Sequence, residues 1–121
     1  MPKLSMKTAR TPGSLPAMPI NPDWIREGNP AAKGTVLLQT ADQKVSSGLW
    51  ECPPGKFDWT FGWDEFARLS EGDVTITEEG GETYTLGPGD LVHFPIGLKT
   101  HWHVRKTVKK VFVIRTPEPL K

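Results

Sequence analysis

Residues 54–76 read PGKFDWTFGWDEFARLSEGDVTI, and their alternation decides the fold. Phe57, Trp59, Phe61 and Trp63 fall at every second position, with Asp58, Thr60 and Gly62 between them. The same parity continues through Glu65, Ala67 and Leu69. A period of two is the signature of a strand with one face buried. The inner face is therefore a row of large rings that runs into one carboxylate, Glu65. Glycines at 55, 62 and 72 punctuate the stretch, as turns and bulges do in β proteins.

The same grammar extends in both directions. TVLLQT (35–40) and VSSGLWE (45–51) precede the aromatic row. DVTITE (73–78) turns through a glycine-rich loop into ETYTL (82–86), which reads as a hairpin. DLVHF (90–94), KTHWHV (99–104) and KKVFVIR (109–115) complete the set. No segment of useful length has a helical period. Eight or nine short strands at near-regular spacing predict an all-β protein, an antiparallel β-barrel or sandwich.

At 121 residues the chain is large enough for one core without disulfides, and Cys52 is its lone cysteine. Six of twelve prolines fall within the first thirty residues, so 1–33 reads as an extended arm, neither strand nor helix, packed outside the barrel. Residues 34–116 form the barrel and 117–121 a tail. The first twenty-two residues lack the apolar core of a secretory signal and no apolar run has the length of a membrane span, so cytoplasm is expected. Formal net charge is +1, but residues 99–121 carry seven basic groups against one acid, and 42–90 eleven acids against three bases. In a sheet these segments interleave, so they read as solvated strand faces rather than a nucleic-acid or membrane surface.

Together with GPGDLVHFPIGLKTHW (87–102), the opening stretch resembles the cupin superfamily, over roughly residues 20–116. Gly55, Glu65 and Gly72 match the first cupin motif; Gly89, Asp90, Pro95 and Gly97 match the second. WECPPGKF (50–57) and DEF (64–66) look more narrowly like small single-domain cupins of the (S)-ureidoglycine aminohydrolase type. The resemblance implies a jelly-roll barrel, a homodimer and, for that enzyme type, metal-dependent C–N hydrolysis of a ureide. The family's histidine positions, however, fall here on Trp59, Phe61 and Thr100, so three of four usual metal ligands are absent. One carboxylate does not hold a divalent metal, and no cofactor is expected.

His93, His101 and His103 are the only histidines. If Thr100 points inward, so do Trp102 and Val104, and His101 and His103 point out. A bulge near Pro95–Gly97 would invert the set and create an alternative metal site at Glu65, His101 and His103. His93 shares a face with Leu91 and reads as a surface or interface residue. The expected site is thus a metal-free pocket of Trp59, Phe61, Glu65, Thr100 and Trp102, binding a small polar or nitrogenous metabolite. Glu65 is the candidate acid–base group for an isomerase or epimerase reading. The third reading is a closed barrel, filled by its own side chains, with an interaction role. Cys52, next to two prolines, reads as structural, and Asp90 as a turn cap.

Overall fold

The computed structural model describes residues 2–10 and 13–121. Its strands are β1 (Ile25–Gly28), β2 (Lys33–Gln39), β3 (Val45–Cys52), β4 (Gly55–Thr60), β5 (Asp64–Glu78), β6 (Thr83–Leu86), β7 (Leu91–Phe94) and β8 (Lys99–Arg115). All pairings are antiparallel. No helix among the described residues is long and apolar enough to cross a membrane.

Two long strands organise everything else. β5 and β8 pair along nearly their whole lengths, from Asp64↔Arg115 to Glu78↔Thr100. The other edge of β8 takes β4 over residues 99–104 and β3 over 108–115. The other edge of β5 takes β7 over 65–68 and β6 over 74–77. The result is two five-stranded layers, β2-β3-β8-β5-β7 and β1-β4-β8-β5-β6, which share the two long strands. Register shifts between Leu69 and Val74 mark the corner where the sheet folds over on itself. Arg105, Lys106 and Thr107 are exposed at the same corner on β8. This is the jelly-roll arrangement that the cupin resemblance implies, within the antiparallel all-β class that the strand pattern predicts.

Four of the eight or nine short strands expected, DEFARL (64–69) after Gly62 being one of them, are thus two continuous ones. DEFARL and DVTITE join into β5, and KTHWHV and KKVFVIR into β8. Gly72 makes the first join possible. Its φ is +111°, and a Cβ there would lie 2.6 Å from the Val108 Cα, so only glycine lets the strand bend and stay paired. Side-chain parity survives both corners, and buried residues recur at Thr100, Trp102, Val104, Val108, Lys110, Phe112 and Ile114.

The arm departs from expectation. Pro22–Trp24 forms a 3-10 turn capped by the Asn21 side chain, which accepts the Asp23 N–H at 2.9 Å. Ile25–Gly28, free of proline, pairs with β4. Ala17 bridges Lys33, and Ile20 and Ala32 are buried in the core. The prolines therefore punctuate this segment and do not keep it outside the sheet. The tail is also held: the Leu120 N–H donates to the Gln43 carbonyl, and Gln39 Nε2 donates to the Leu120 carbonyl.

The outer face of the first layer carries an apolar patch. Phe66 is 55% exposed, Leu91 79%, Val111 47% and Val113 40%. They are cross-strand neighbours: Phe66 lies opposite His93 and Val113, and Arg68 opposite Leu91 and Val111. The His93 ring stacks on Phe66 at 4.5 Å.

Close approach of β2, β3 and β8 depends on Gly48, where a Cβ would sit 2.0 Å from the Thr35 carbonyl oxygen and 2.9 Å from the Phe112 ring. Gly48→Ala is expected to destabilise the fold by about 1–3 kcal/mol, the range for core overpacking with backbone displacement. Urea unfolding followed by tryptophan fluorescence measures it.

Candidate functional site

Between the two layers lies a cavity of about 340 Å³. The first layer contributes Val36, Trp50, Glu65, Lys110, Phe112 and Ile114; the second contributes Phe57, Trp59 and Trp102. Phe61 and Trp63, in the β4–β5 connection, add two more rings. Met18 and Pro19 of the arm and Leu120 of the tail complete the wall. These three are part-exposed or exposed, as are Trp59 and Trp63, whereas Glu65, Lys110 and Trp102 are buried. The mouth is therefore edged by arm, tail and two tryptophans, with the charges deep inside.

Lys110 is the group that the sequence reading missed. Its Nζ lies 2.5 Å from Glu65 Oε2, and the side chains are 7% and 5% exposed respectively. Trp63 Nε1–H donates to Glu65 Oε1 at 3.1 Å. The ammonium also stands over three rings, at 4.5 Å from the centroid of Trp50, 5.3 Å from Trp102 and 5.8 Å from Phe94. An isolated buried charge costs several kcal/mol. Here each charge neutralises the other, and an indole N–H and ring faces take up part of what remains. A signal was present: continuing the parity from Trp102 puts Lys110 on the face of Val108, Phe112 and Ile114. Counting it among the basic residues of the C-terminal segment hid it.

The other expected residues divide. Trp59, Phe61, Glu65 and Trp102 line the cavity. Phe61 is stacked on Phe94 at 4.4 Å, and Trp59 packs edge-on to Trp24 at 5.2 Å. Thr100 is inward and buried but does not line the cavity. Its hydroxyl donates to the Trp59 carbonyl and accepts from Trp102 Nε1–H, both at 2.8 Å, so it holds two wall residues in place.

The alternative set of Glu65, His101 and His103 is not brought together, because β8 enters its pairing with β4 without a bulge: Trp59↔Thr100, Asp58↔His101 and Phe57↔Trp102 follow in step. His101 lies on the outer face, its Nδ1 2.7 Å from Asp58 Oδ1. Arg26 binds the other carboxylate oxygen, and the pair of partners holds Asp58 below the usual carboxylate range, Arg26 contributing most. The family's own ligand positions do not fit a metal either. Trp59, Phe61 and Thr100 offer two rings and a hydroxyl already engaged, and Glu65 already faces an ammonium. His93 is exposed, beside Asp64 at 3.8 Å. Asp90 caps its turn, accepting the Gly87 N–H at 2.8 Å. Burial pushes the Cys52 thiol up to about 12, which leaves it inert as a nucleophile.

Two antiparallel layers folded about shared long strands, with an inward glutamate on the first motif and a pocket between the layers, define a cupin. Residues 39–112 match the EutQ-like cupin domain, and the chain belongs to that family. Solved structures agree. A DUF861 family protein from Thermotoga maritima is 39% identical over 53% of this chain and 73% of its own, with a TM-score of 0.52. The EutQ protein of Clostridium difficile is 23% identical over 78% of this chain and 76% of its own, with a TM-score of 0.64. A DUF861 family protein from Pseudomonas syringae pv. tomato superposes at a TM-score of 0.76, with 23% identity over 84% of this chain and 44% of that longer one. No curated protein matches the chain.

The ion pair has a measurable signature. Lys110→Met leaves Glu65 buried opposite no cation and is expected to cost about 3–5 kcal/mol. Glu65→Gln combined with Lys110→Met removes both charges and should recover at least half of that loss. Urea denaturation of the two single variants and the double variant closes the cycle.

Proposed function

We propose that this cupin binds a small, largely aromatic molecule in the barrel, with a single hydrogen-bond acceptor directed at Lys110. The observation that carries the reading is the composition of the wall: rings and aliphatic groups throughout, and one carboxylate–ammonium pair. An ammonium has three N–H donors, and among the described residues Glu65 is the one hydrogen-bond partner of Lys110. The others face rings and open volume. A cavity of about 150 Å³ suffices for benzene, so this one has room for a substituted ring or a fused pair. Trp59, Phe61 and Trp102 would sandwich the ring, and Glu65 would hold the lysine in position.

This reading narrows the small polar or nitrogenous metabolite expected for a lone glutamate among rings to one that carries no positive charge. Lys110 supplies the cation internally, so a second positive charge would be repelled. Metal-dependent ureide hydrolysis, which the aminohydrolase-like motifs imply, finds no support in the donor set. Titration with benzoate, benzamide and benzylamine, followed by quenching of tryptophan fluorescence at neutral pH, tests the proposal. Benzoate or benzamide should bind and benzylamine should not. Equal binding of all three would remove Lys110 as the recognising group, and no quenching by any would indicate a closed barrel.

We also propose a homodimer formed through the outer patch of Phe66, Leu91, Val111 and Val113. Along β5 the outward residues run Asp64, Phe66, Arg68, and Arg68 has no ion-pair partner among the described residues. A two-fold axis near Phe66 sets Arg68 of one copy beside Asp64 of the other and covers both apolar patches. Light scattering at micromolar concentration should give twice the 13.4 kDa chain mass, and Phe66→Glu should halve it. A monomeric wild type, or a dimer that survives Phe66→Glu, rules this interface out.

A further inference from the structure

We infer that Lys110 is a carbonyl-capturing amine, able to condense with an aldehyde or ketone held in the cavity; this rests on the pocket reading above. Three features converge on it. Lys110 is the buried lysine among the described residues, while Lys109, next to it, is exposed. Lys110 lines the cavity, and the one other ionisable residue of that wall, Glu65, lies 2.5 Å from its Nζ. And the remaining wall is apolar, so water is in short supply where an imine would otherwise hydrolyse.

An ammonium has no lone pair, so the nitrogen becomes nucleophilic as one of its protons passes to Glu65, 2.5 Å away. The nitrogen lone pair then forms a C–N bond to the carbonyl carbon, and the C=O π pair moves to oxygen. A proton passes from nitrogen to that oxygen through Glu65, which gives a neutral carbinolamine. The Glu65 acid then protonates the hydroxyl, water departs with the C–O bond pair, and the nitrogen lone pair closes the C=N bond. The sum is ammonium plus carbonyl compound to iminium plus water. No electron is gained or lost, and Glu65 ends as the carboxylate beside the new cation, as it began. Lysine amines form Schiff bases with carbonyl compounds when a hydrophobic pocket desolvates them, and the aromatic walls select a ring-bearing carbonyl compound.

The test uses benzaldehyde and sodium cyanoborohydride on the full chain, with fragment mass spectra to assign each modified lysine. Lys110 should be converted at least about tenfold faster than Lys109, the solvent-exposed internal control, because the aldehyde is held against it. Lys110→Arg keeps a cation for Glu65 and should lose the fast adduct, while Lys109 in the same variant keeps its wild-type rate. Glu65→Gln should slow trapping at Lys110 by about a hundredfold, the lower end of general acid–base assistance, with the rate at Lys109 unchanged. If benzaldehyde quenches fluorescence but Lys110 reacts no faster than Lys109, the capture role is overturned and the binding pocket stands. If there is neither quenching nor selective trapping, both fall. Should Glu65→Gln fail to fold, the wild-type rate ratio and Lys110→Arg decide the matter.

Discussion

A carboxylate and an ammonium 2.5 Å apart, inside a wall of rings, set the terms for the rest of this structure. Neither Glu65 nor Lys110 could be buried alone without a cost of several kcal/mol. They meet because β5 and β8 are hydrogen-bonded neighbours in one fixed register, with Glu65 opposite Ile114 and Lys110 opposite Leu69. The lysine stem spans the distance along the strand. A slip of one residue would turn Glu65 and its apolar neighbours out to solvent and drive Phe66 and Arg68 inward. The pair therefore penalises wrong registers as well as joining the strands.

Its surroundings follow from the same requirement. The rings of Trp50, Trp102 and Phe94 offer the ammonium electron-rich faces without hydrating it. The Trp63 indole serves the second carboxylate oxygen, and Thr100 ties the Trp102 indole to the backbone of Trp59. Among the described residues no buried side-chain polar atom lacks a partner. The motif pattern of the cupins would place imidazoles and a metal cation near this glutamate. Here two rings and a threonine occupy the imidazole positions, and a lysine provides the positive charge. The pocket keeps its glutamate but changes what that glutamate can attract.

The long strands that position the pair also separate the two faces of the protein by chemistry. Inner positions carry rings, one ion pair and the cavity. Outer positions of the first layer carry the patch around Phe66, and those of the second carry Arg26, Asp58 and His101 in one hydrogen-bonded group. The arm and the tail then edge the cavity, so both ends of the chain contribute to its mouth.

Period-two alternation determined a good deal unaided. It assigned Phe57, Trp59, Phe61, Glu65, Ala67 and Leu69 to one face, because in a strand parity is a local property, and it turned His101 and His103 outward on the condition, met in the structure, that no bulge interrupts the pairing of β8 with β4. Glycine and proline spacing gave the hairpin at 78–82 and the turn at 87–90 for the same reason. Local information stops where partners are chosen. That Glu65 would meet Lys110, forty-five positions away, depends on β5 pairing with β8 in a single register, and that pairing is decided by burial over the whole length of both strands. Only the tertiary structure joined four expected strands into two, since a bulge at Gly72 reads as a strand end until its partner is seen. It alone placed Met18 and Leu120 at the cavity mouth, and it reassigned Thr100 from the pocket wall to the support behind it. These are contacts between segments distant in sequence, and no residue's own propensity encodes them.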